Sequence, residues 1–241
     1  MTPLVLVHGF MGGSAQWDGR KQAISPDGDV ITVDLPGFGK NAAASALDRI
    51  PDFADWVISQ LDAQGVQSFD LIGHSMGGMI VQQIAHQVPD RIGRLILYST
   101  GAVGVLPGRF ETIAQSKQRG VEDGIPETAR RIAATWFLHG AEAAGYQACA
   151  EIAQLTAPAA FTGGLDAMQN WSGVAHLKGL RPQTMVLWGD QDRTYPWSQI
   201  ETLWQHIPNA QLATVPGCAH AVHLEKPELF NKLVSDFLRP D

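Results

Sequence analysis

Phe69-Asp-Leu-Ile-Gly73-His-Ser75-Met-Gly77-Gly-Met-Ile80 passes from an apolar run into a segment with helical periodicity, with a serine between two glycines near the junction. Met76, Met79, Ile80, Gln83, Ile84 and Val88 trace the helical stripe, which ends at Pro89 and predicts a helix beginning just after Ser75. G-x-S-x-G between a strand and a helix demands a very tight turn, with the serine backbone strained and its hydroxyl standing clear of the sheet. A Cβ at position 73 or 77 would clash with the neighbouring strand and helix, which accounts for Gly at both. The start of the helix aims unpaired N–H groups and the positive end of its dipole at that hydroxyl, the Met76 N–H among them. The plainer role for Ser75 is an ordinary helix N-cap.

Working outward, Pro3-Leu-Val-Leu-Val-His8, Asp29-Val-Ile-Thr-Val-Asp34 and Arg94-Leu-Ile-Leu-Tyr98 are further unbroken apolar runs. Continuous rather than alternating apolar runs indicate strands buried on both faces, hence a parallel sheet. Between them Pro51 suits a first helical position, and Phe53, Val57 and Leu61 recur at helical spacing until Gly65. This is βαβ organisation with helices on both faces of the sheet. Gly101 to Pro182 is rich in Ala and Gly and holds no strand pattern; helices are expected over residues 127–138 and 141–155. Strand patterns return in Thr184-Met-Val-Leu-Trp188 and Gln211-Leu-Ala-Thr-Val215, followed by helical stretches over 196–206 and 227–238. An α/β core formed by residues 1–100 and 182–241 is therefore expected, interrupted by an all-helical insertion at 101–181.

The 241 residues suffice for one large domain with a substantial core. At 45% hydrophobic and 17% charged they are too apolar for intrinsic disorder. Lys and Arg number 17 against 24 Asp and Glu, a net charge of −7 with no basic run, which disfavours a nucleic-acid partner. The two cysteines, Cys149 and Cys218, form no C-x-x-C pair and suit a reducing compartment. No apolar run approaches the ~20 residues of a membrane span. A cytoplasmic protein is expected.

A serine hydroxyl is a weak nucleophile without a base, and the base needs an orienting carboxylate. The strand pattern at 184–188 runs into Gly189-Asp-Gln-Asp192-Arg-Thr-Tyr-Pro196, and that at 211–215 into Pro216-Gly-Cys-Ala-His220. Both partners thus follow the serine in the order acid, then histidine, at the C-terminal strand ends where open α/β sheets place their sites.

In Leu6-Val-His8-Gly9-Phe10, Asp34-Leu-Pro-Gly-Phe-Gly39, Gly73-His-Ser-Met-Gly-Gly78, Gly189-Asp-Gln-Asp192 and His220 with Leu224-Glu-Lys-Pro227, the chain resembles the α/β-hydrolases over essentially its whole length. The resemblance implies a mostly parallel sheet with helices on both faces and a helical cap at 101–181. It makes Ser75 the nucleophile, Asp192 the triad acid and His220 the general base, with the Phe10 and Met76 N–H groups as oxyanion hole and no cofactor. Most relatives carry further strands before the His-Gly strand, so reduced N-terminal edge strands are expected. Serine at the elbow argues against haloalkane dehalogenases and epoxide hydrolases, which attack through a carboxylate. The segment from Asp34 to Lys40 resembles hydrolases that cleave carbon–carbon bonds of ring-fission products. Those relatives usually have Asn before the nucleophile and Trp after the catalytic His, where this chain has His74 and Ala221. His223-Leu-Glu225 instead follows in the manner of esterases and enol-lactonases. Hydrolysis of a small-molecule carboxylic ester or lactone therefore ranks first and carbon–carbon hydrolysis second. Thioester hydrolysis and perhydrolysis use the same triad, and the contrasting class is a non-catalytic ligand-binding member of the fold.

Each site assignment has a rival. Asp190 lies nearer the strand end than Asp192, and His223 lies three residues beyond His220; an Asx-turn is the plainer role for either aspartate. His8 and His74 read as loop-fixing residues. Residues 220–225 lack a second His/Asp cluster to complete a metal site. Gly37-Phe-Gly39-Lys-Asn-Ala42 fits a loose dinucleotide pattern, but Leu35-Pro36 separates it from the strand and no periodic helix follows. In the insertion, Trp136, Phe137, Leu138, Phe161, Met168 and Trp171 are candidates to line an acyl pocket or to pack the helices. Arg130 and Arg131 are candidates for a substrate carboxylate or for a solvated helix face.

Overall fold

The computed structural model describes residues 2–26, 28–105 and 111–239. The chain runs β1 (Leu4–Val7), α1 (Lys21–Ile24), β2 (Val30–Thr32), α2 (Ile50–Ala63), β3 (Phe69–His74), α3 (Met76–Gln87) and β4 (Ile92–Tyr98). Four helices follow, α4 (Ile113–Glu122), α5 (Ile125–Ala134), α6 (Tyr146–Gln154) and α7 (Pro158–Gln169). Then come β5 (Gln183–Gly189), α8 (Trp197–His206), β6 (Gln211–Val215), α9 (Val222–Glu225) and α10 (Pro227–Leu238). The strands form one six-stranded sheet in the order β2-β1-β3-β4-β5-β6. Every neighbouring pair is parallel, so β2 rather than an antiparallel strand stands at the edge beside β1.

The unbroken apolar runs mark strands covered on both sides. Along β1, Val5 and Val7 join a cluster with Phe53, Val57 and Leu61 of α2 and Met79 and Ile80 of α3. Leu4 and Leu6 face the other way, towards Ile24 of α1 and Phe230, Val234 and Phe237 of α10. On α3, Gln82 is buried where Gln83 was expected on the stripe; its Nε2 donates to the Gly78 and Gly101 carbonyls at 3.0 Å each. Two faces of that helix are enclosed, so one apolar stripe underestimates its burial. Among the described residues no helix is long and apolar enough to cross a membrane.

β4 pairs directly with β5, from Arg94 against Gln183 to Tyr98 against Leu187, so everything between them is inserted between adjacent strands. Residues 106–110 of that insertion lie outside the described residues. Its helices differ in detail from expectation. The one expected over 127–138 begins at Ile125, after Gly124 at φ 77° and with Pro126 in its first turn, and ends at Ala134. That expected over 141–155 divides into a short 3₁₀ turn at Gly140–Glu142 and α6. The unanticipated helices had readable starts: a Thr112/Gln115 capping box before α4 and Pro158 opening α7. Ile132, Ala153, Phe161, Leu165 and Met168 share one hydrophobic cluster with the adjoining face of the sheet.

β1, β3 and α3 approach one another closely where the site forms. A Cβ on Gly73 would overlap the Gly77 carbonyl and the Val81 side chain, and one on Gly77 would overlap the Val7 and His8 carbonyls. Backbone cannot yield as a side-chain tip does. Gly77→Ala is therefore expected to destabilise the fold by about 1–3 kcal/mol or more, measured by urea unfolding; unchanged stability would contradict this close packing.

Candidate active site

Ser75 joins β3 to α3 at φ 56° and ψ −120°, a conformation that costs a non-glycine residue about 1–3 kcal/mol and persists only when its surroundings enforce it. Here they do. Its N–H donates to the Tyr98 carbonyl at 3.0 Å, and its carbonyl accepts Thr100 Oγ1 at 2.7 Å and the Gly78 N–H at 2.9 Å.

The loop after β1 is held by His8. The Leu35 N–H donates to His8 Nε2 at 3.0 Å, so Nδ1 carries the proton and donates to the Gly9 carbonyl at 2.7 Å. Asp34 binds the same loop one step on, its carboxylate accepting the Ser14 N–H at 2.9 Å and the Ser14 hydroxyl at 2.6 Å. Burial would raise the Asp34 pKa, but these hydrogen bonds hold it below its usual value. Asp34 and the glycine segment after it thus shape the loop beside the site, and Gly37 and Gly39 belong to that turn.

The two aspartates of the loop after β5 have separate partners. Asp192 Oδ2 lies 2.8 Å from His220 Nδ1, while its Oδ1 accepts the Thr194 and Tyr195 N–H groups at 2.7 and 3.3 Å. A carboxylate only accepts, so His220 Nδ1 is the donor, and Nε2 is the nitrogen left free of Asp192. Asp190 Oδ1 instead accepts the Gly217 and Cys218 N–H groups at 2.7 and 3.4 Å, tying the loop after β5 to the one after β6. Glu225 anchors the latter again, accepting the Ala219 and Leu138 N–H groups at 2.7 Å each.

Three buried histidine rings gather behind Ser75. His74 lies between Tyr98, with ring centroids 4.4 Å apart, and His220, at 4.6 Å. Its Nε2–H donates to the His220 carbonyl at 3.2 Å, leaving Nδ1 to face Gln16 Nε2 at 3.5 Å. His223 takes no part in the aspartate pair. Its Nδ1 lies 2.8 Å from the Tyr98 hydroxyl, which also receives the His223 N–H at 3.1 Å. Burial, reinforced by neighbouring imidazoles, drives His74 well below its usual pKa. Burial also takes His223 to about 3 and His8 to about 4.

Ser75 and His220 open on one small cavity of about 10 Å³, near the least that holds a water molecule. Gln16, His74 and His223 supply polar groups to its wall, and Phe10, Trp136, Cys149 and Ala221 the apolar part. Of the aromatic candidates in the insertion, only Trp136 lines it. Phe137 packs with Cys149 and Ala221 in a small cluster of its own, and Phe161, Met168 and Trp171 join the main core. Leu138 serves through its backbone. Arg130 pairs with Glu127 at 2.6 Å and Arg131 with Glu111 at 2.8 Å, both away from the cavity. Gln16 and Cys149 carried no signal in the sequence, since neither belongs to a motif and each arrives by a long-range contact. Among the described residues no three His, Cys, Asp or Glu side chains gather to hold a metal.

The neutral histidines carry a pH signature. A ring whose folded pKa lies below 6.5 binds its proton more readily unfolded, so its stabilisation is complete above pH 6.5 and falls as the pH drops towards the folded value. Each such ring contributes a slope approaching about 1.4 kcal/mol per pH unit. Urea unfolding between pH 7.5 and 5 should therefore give a stability that declines steeply below pH 6.5. A flat profile would mean the rings are charged or solvated.

Comparison with known proteins follows the same lines. A family model described as alpha/beta hydrolase fold matches residues 2–227. A pimeloyl-[acyl-carrier protein] methyl ester esterase from Yersinia enterocolitica is 31% identical over 97% of this chain and 92% of its own. A 2-hydroxymuconate semialdehyde hydrolase from Pseudomonas putida is 32% identical over 98% of this chain and 86% of its own. The crystal structure of the enol-lactonase from Burkholderia xenovorans LB400 superposes with a TM-score of 0.90 at 21% identity, covering 98% of this chain and 91% of that one. With its sheet, its glycine-flanked turn and a family match over nearly the whole sequence, the chain belongs to the α/β-hydrolase fold family.

Proposed function

We propose that this protein is a serine hydrolase that cleaves a carboxylic ester or lactone through an acyl-enzyme, with Ser75 as nucleophile, His220 as general base and Asp192 as its orienting acid. The observation that carries this reading is the 2.8 Å Asp192–His220 pair opening on the same cavity as the strained Ser75. Ser75 Oγ attacks the carbonyl carbon and passes its proton to His220 Nε2, because Nδ1 is committed to Asp192. The carbonyl oxygen becomes an oxyanion held by the Phe10 and Met76 N–H groups; Met76 is the first residue of α3, where helical geometry leaves the amide without an intrahelical partner. His220 then protonates the leaving alcohol, and a water that gives its proton to the same nitrogen releases the acid. The insertion at 101–181 acts as a cap, with Trp136 and Cys149 as its contribution to the pocket. Cytoplasmic residence is supported by two free, buried thiols.

Cleavage of a carbon–carbon bond in a ring-fission product is the second reading, favoured by the similarity to the Pseudomonas putida hydrolase. His74 and Ala221, at the two positions flanking the proposed nucleophile and base, favour the ester reading.

A panel of esters, lactones and thioesters graded by acyl length, with one vinylogous ring-fission diketone, separates these. Turnover of an ester or lactone is expected to vanish in Ser75→Ala. Asp192→Asn should lower kcat by about 10⁴-fold, whereas Asp190→Asn should lose mainly stability. Absence of Ser75-dependent turnover across the esters and lactones would reject the proposal, and labelling of Ser75 by a fluorophosphonate without turnover would favour a ligand-binding protein.

A further inference from the structure

His223 Nε2 is buried and has no hydrogen-bond partner among the described residues, although its ring belongs to the wall of the cavity that holds Ser75 and His220. Leaving such an atom unpaired is costly, and native interiors rarely tolerate it without a purpose. The ring cannot turn away to find a partner. Its Nδ1–H donates to the Tyr98 oxygen at 2.8 Å, the Tyr98 proton going to the His220 carbonyl, and the ring packs against Trp17 with centroids 5.0 Å apart. Gln16 stands on the same wall, buried, and its amide makes a single long contact, 3.5 Å from His74 Nδ1. Two side chains with spare hydrogen-bonding capacity thus line the same space, with Phe10, Trp136, Cys149 and Ala221 among its apolar walls.

The geometry points to a polar subsite: beside Ser75, His223 Nε2 and the Gln16 amide receive an uncharged hydroxyl carried by a short acyl or alcohol group of the substrate, the hydroxyl donating to Nε2 and accepting from the amide. This assignment rests on the ester-hydrolase reading above and narrows it to a substrate class. Compactness follows from the size of the cavity, about 10 Å³. Neutrality follows from its lining, which among the described residues contains no Lys, Arg, Asp or Glu. Burial keeps His74 and His223 uncharged and pushes the Cys149 thiol up to about 12. Arg20, whose charge reaches His223, is not part of the lining. A carboxylate seated here would lose its water without touching a cation of the described lining, a heavy cost, whereas a hydroxyl would gain both an acceptor and a donor.

Two matched substrate pairs test this. Ethyl 3-hydroxybutyrate and ethyl 3-methylbutyrate place a hydroxyl or a methyl at one point of the acyl chain. 2-Hydroxyethyl butyrate and propyl butyrate do so in the alcohol. In the wild-type protein the hydroxyl member of one pair should have the higher kcat/KM, by the about three- to tenfold that one net hydrogen bond supplies. That ratio should fall towards one in His223→Phe and, separately, in Gln16→Leu, which leaves the Tyr98–His223 pair intact should the first variant fold poorly. Monoethyl succinate should be a poorer substrate than the neutral esters. Equal ratios in wild type and both variants, or a preference for the succinate ester, would overturn the subsite while leaving ester hydrolysis standing. Loss of Ser75-dependent turnover on every ester would overturn both.

Discussion

The site depends on how closely α3 and β3 approach β1. With glycine at 73 and 77, backbone packs on backbone, and the chain passes from strand to helix through one residue in a conformation that side chains disfavour. That residue is Ser75. Its amide and carbonyl are captured by Tyr98, Thr100 and Gly78, so the strain is countered by three hydrogen bonds. The Val7 and His8 carbonyls that a Cβ on Gly77 would strike begin the loop carrying Phe10. One steric constraint therefore sets both the serine and the loop beside it.

A second layer of order is polar and buried. His74, His220, His223 and Tyr98 form a contiguous set in which the His220 carbonyl accepts from both His74 Nε2 and the Tyr98 hydroxyl at 3.2 Å. Such networks are favourable when nearly every member is paired, and this one fixes the backbone of His220 from behind while Asp192 fixes its ring from the side.

Much of this was legible in the sequence because it rests on local rules. Unbroken apolar runs predicted the parallel strands, Gly73 and Gly77 the turn, and the loops after Thr184–Trp188 and Gln211–Val215 the neighbourhood of Asp192 and His220. Asp190 and Asp192 are alike in composition and differ only in which loop they face, a matter of three-dimensional placement. The insertion was the least legible region. Its helices pack around small residues and break at Gly124 and Gly145, and burial of Phe161 and Trp171 in the common core rather than in the cavity depends on how α7 lies over Phe10 and Phe38. Gln16 enters from a 3₁₀ turn whose sequence carries no motif.

Residues 136–138 form a mechanical junction. The Leu138 N–H is held by Glu225, the Ala221 N–H by the Trp136 carbonyl at 2.9 Å, and Arg193 Nη2 donates to the Leu138 carbonyl at 3.0 Å. Trp136 and Leu138 thus grip the loop of His220 and the loop of Asp192. Lifting the insertion at this corner would pull on both loops at once, so opening on that side would strain the Asp192–His220 hydrogen bond. This corner is a fixed seam, and any breathing of the insertion that preserves the pair must occur along its other margins.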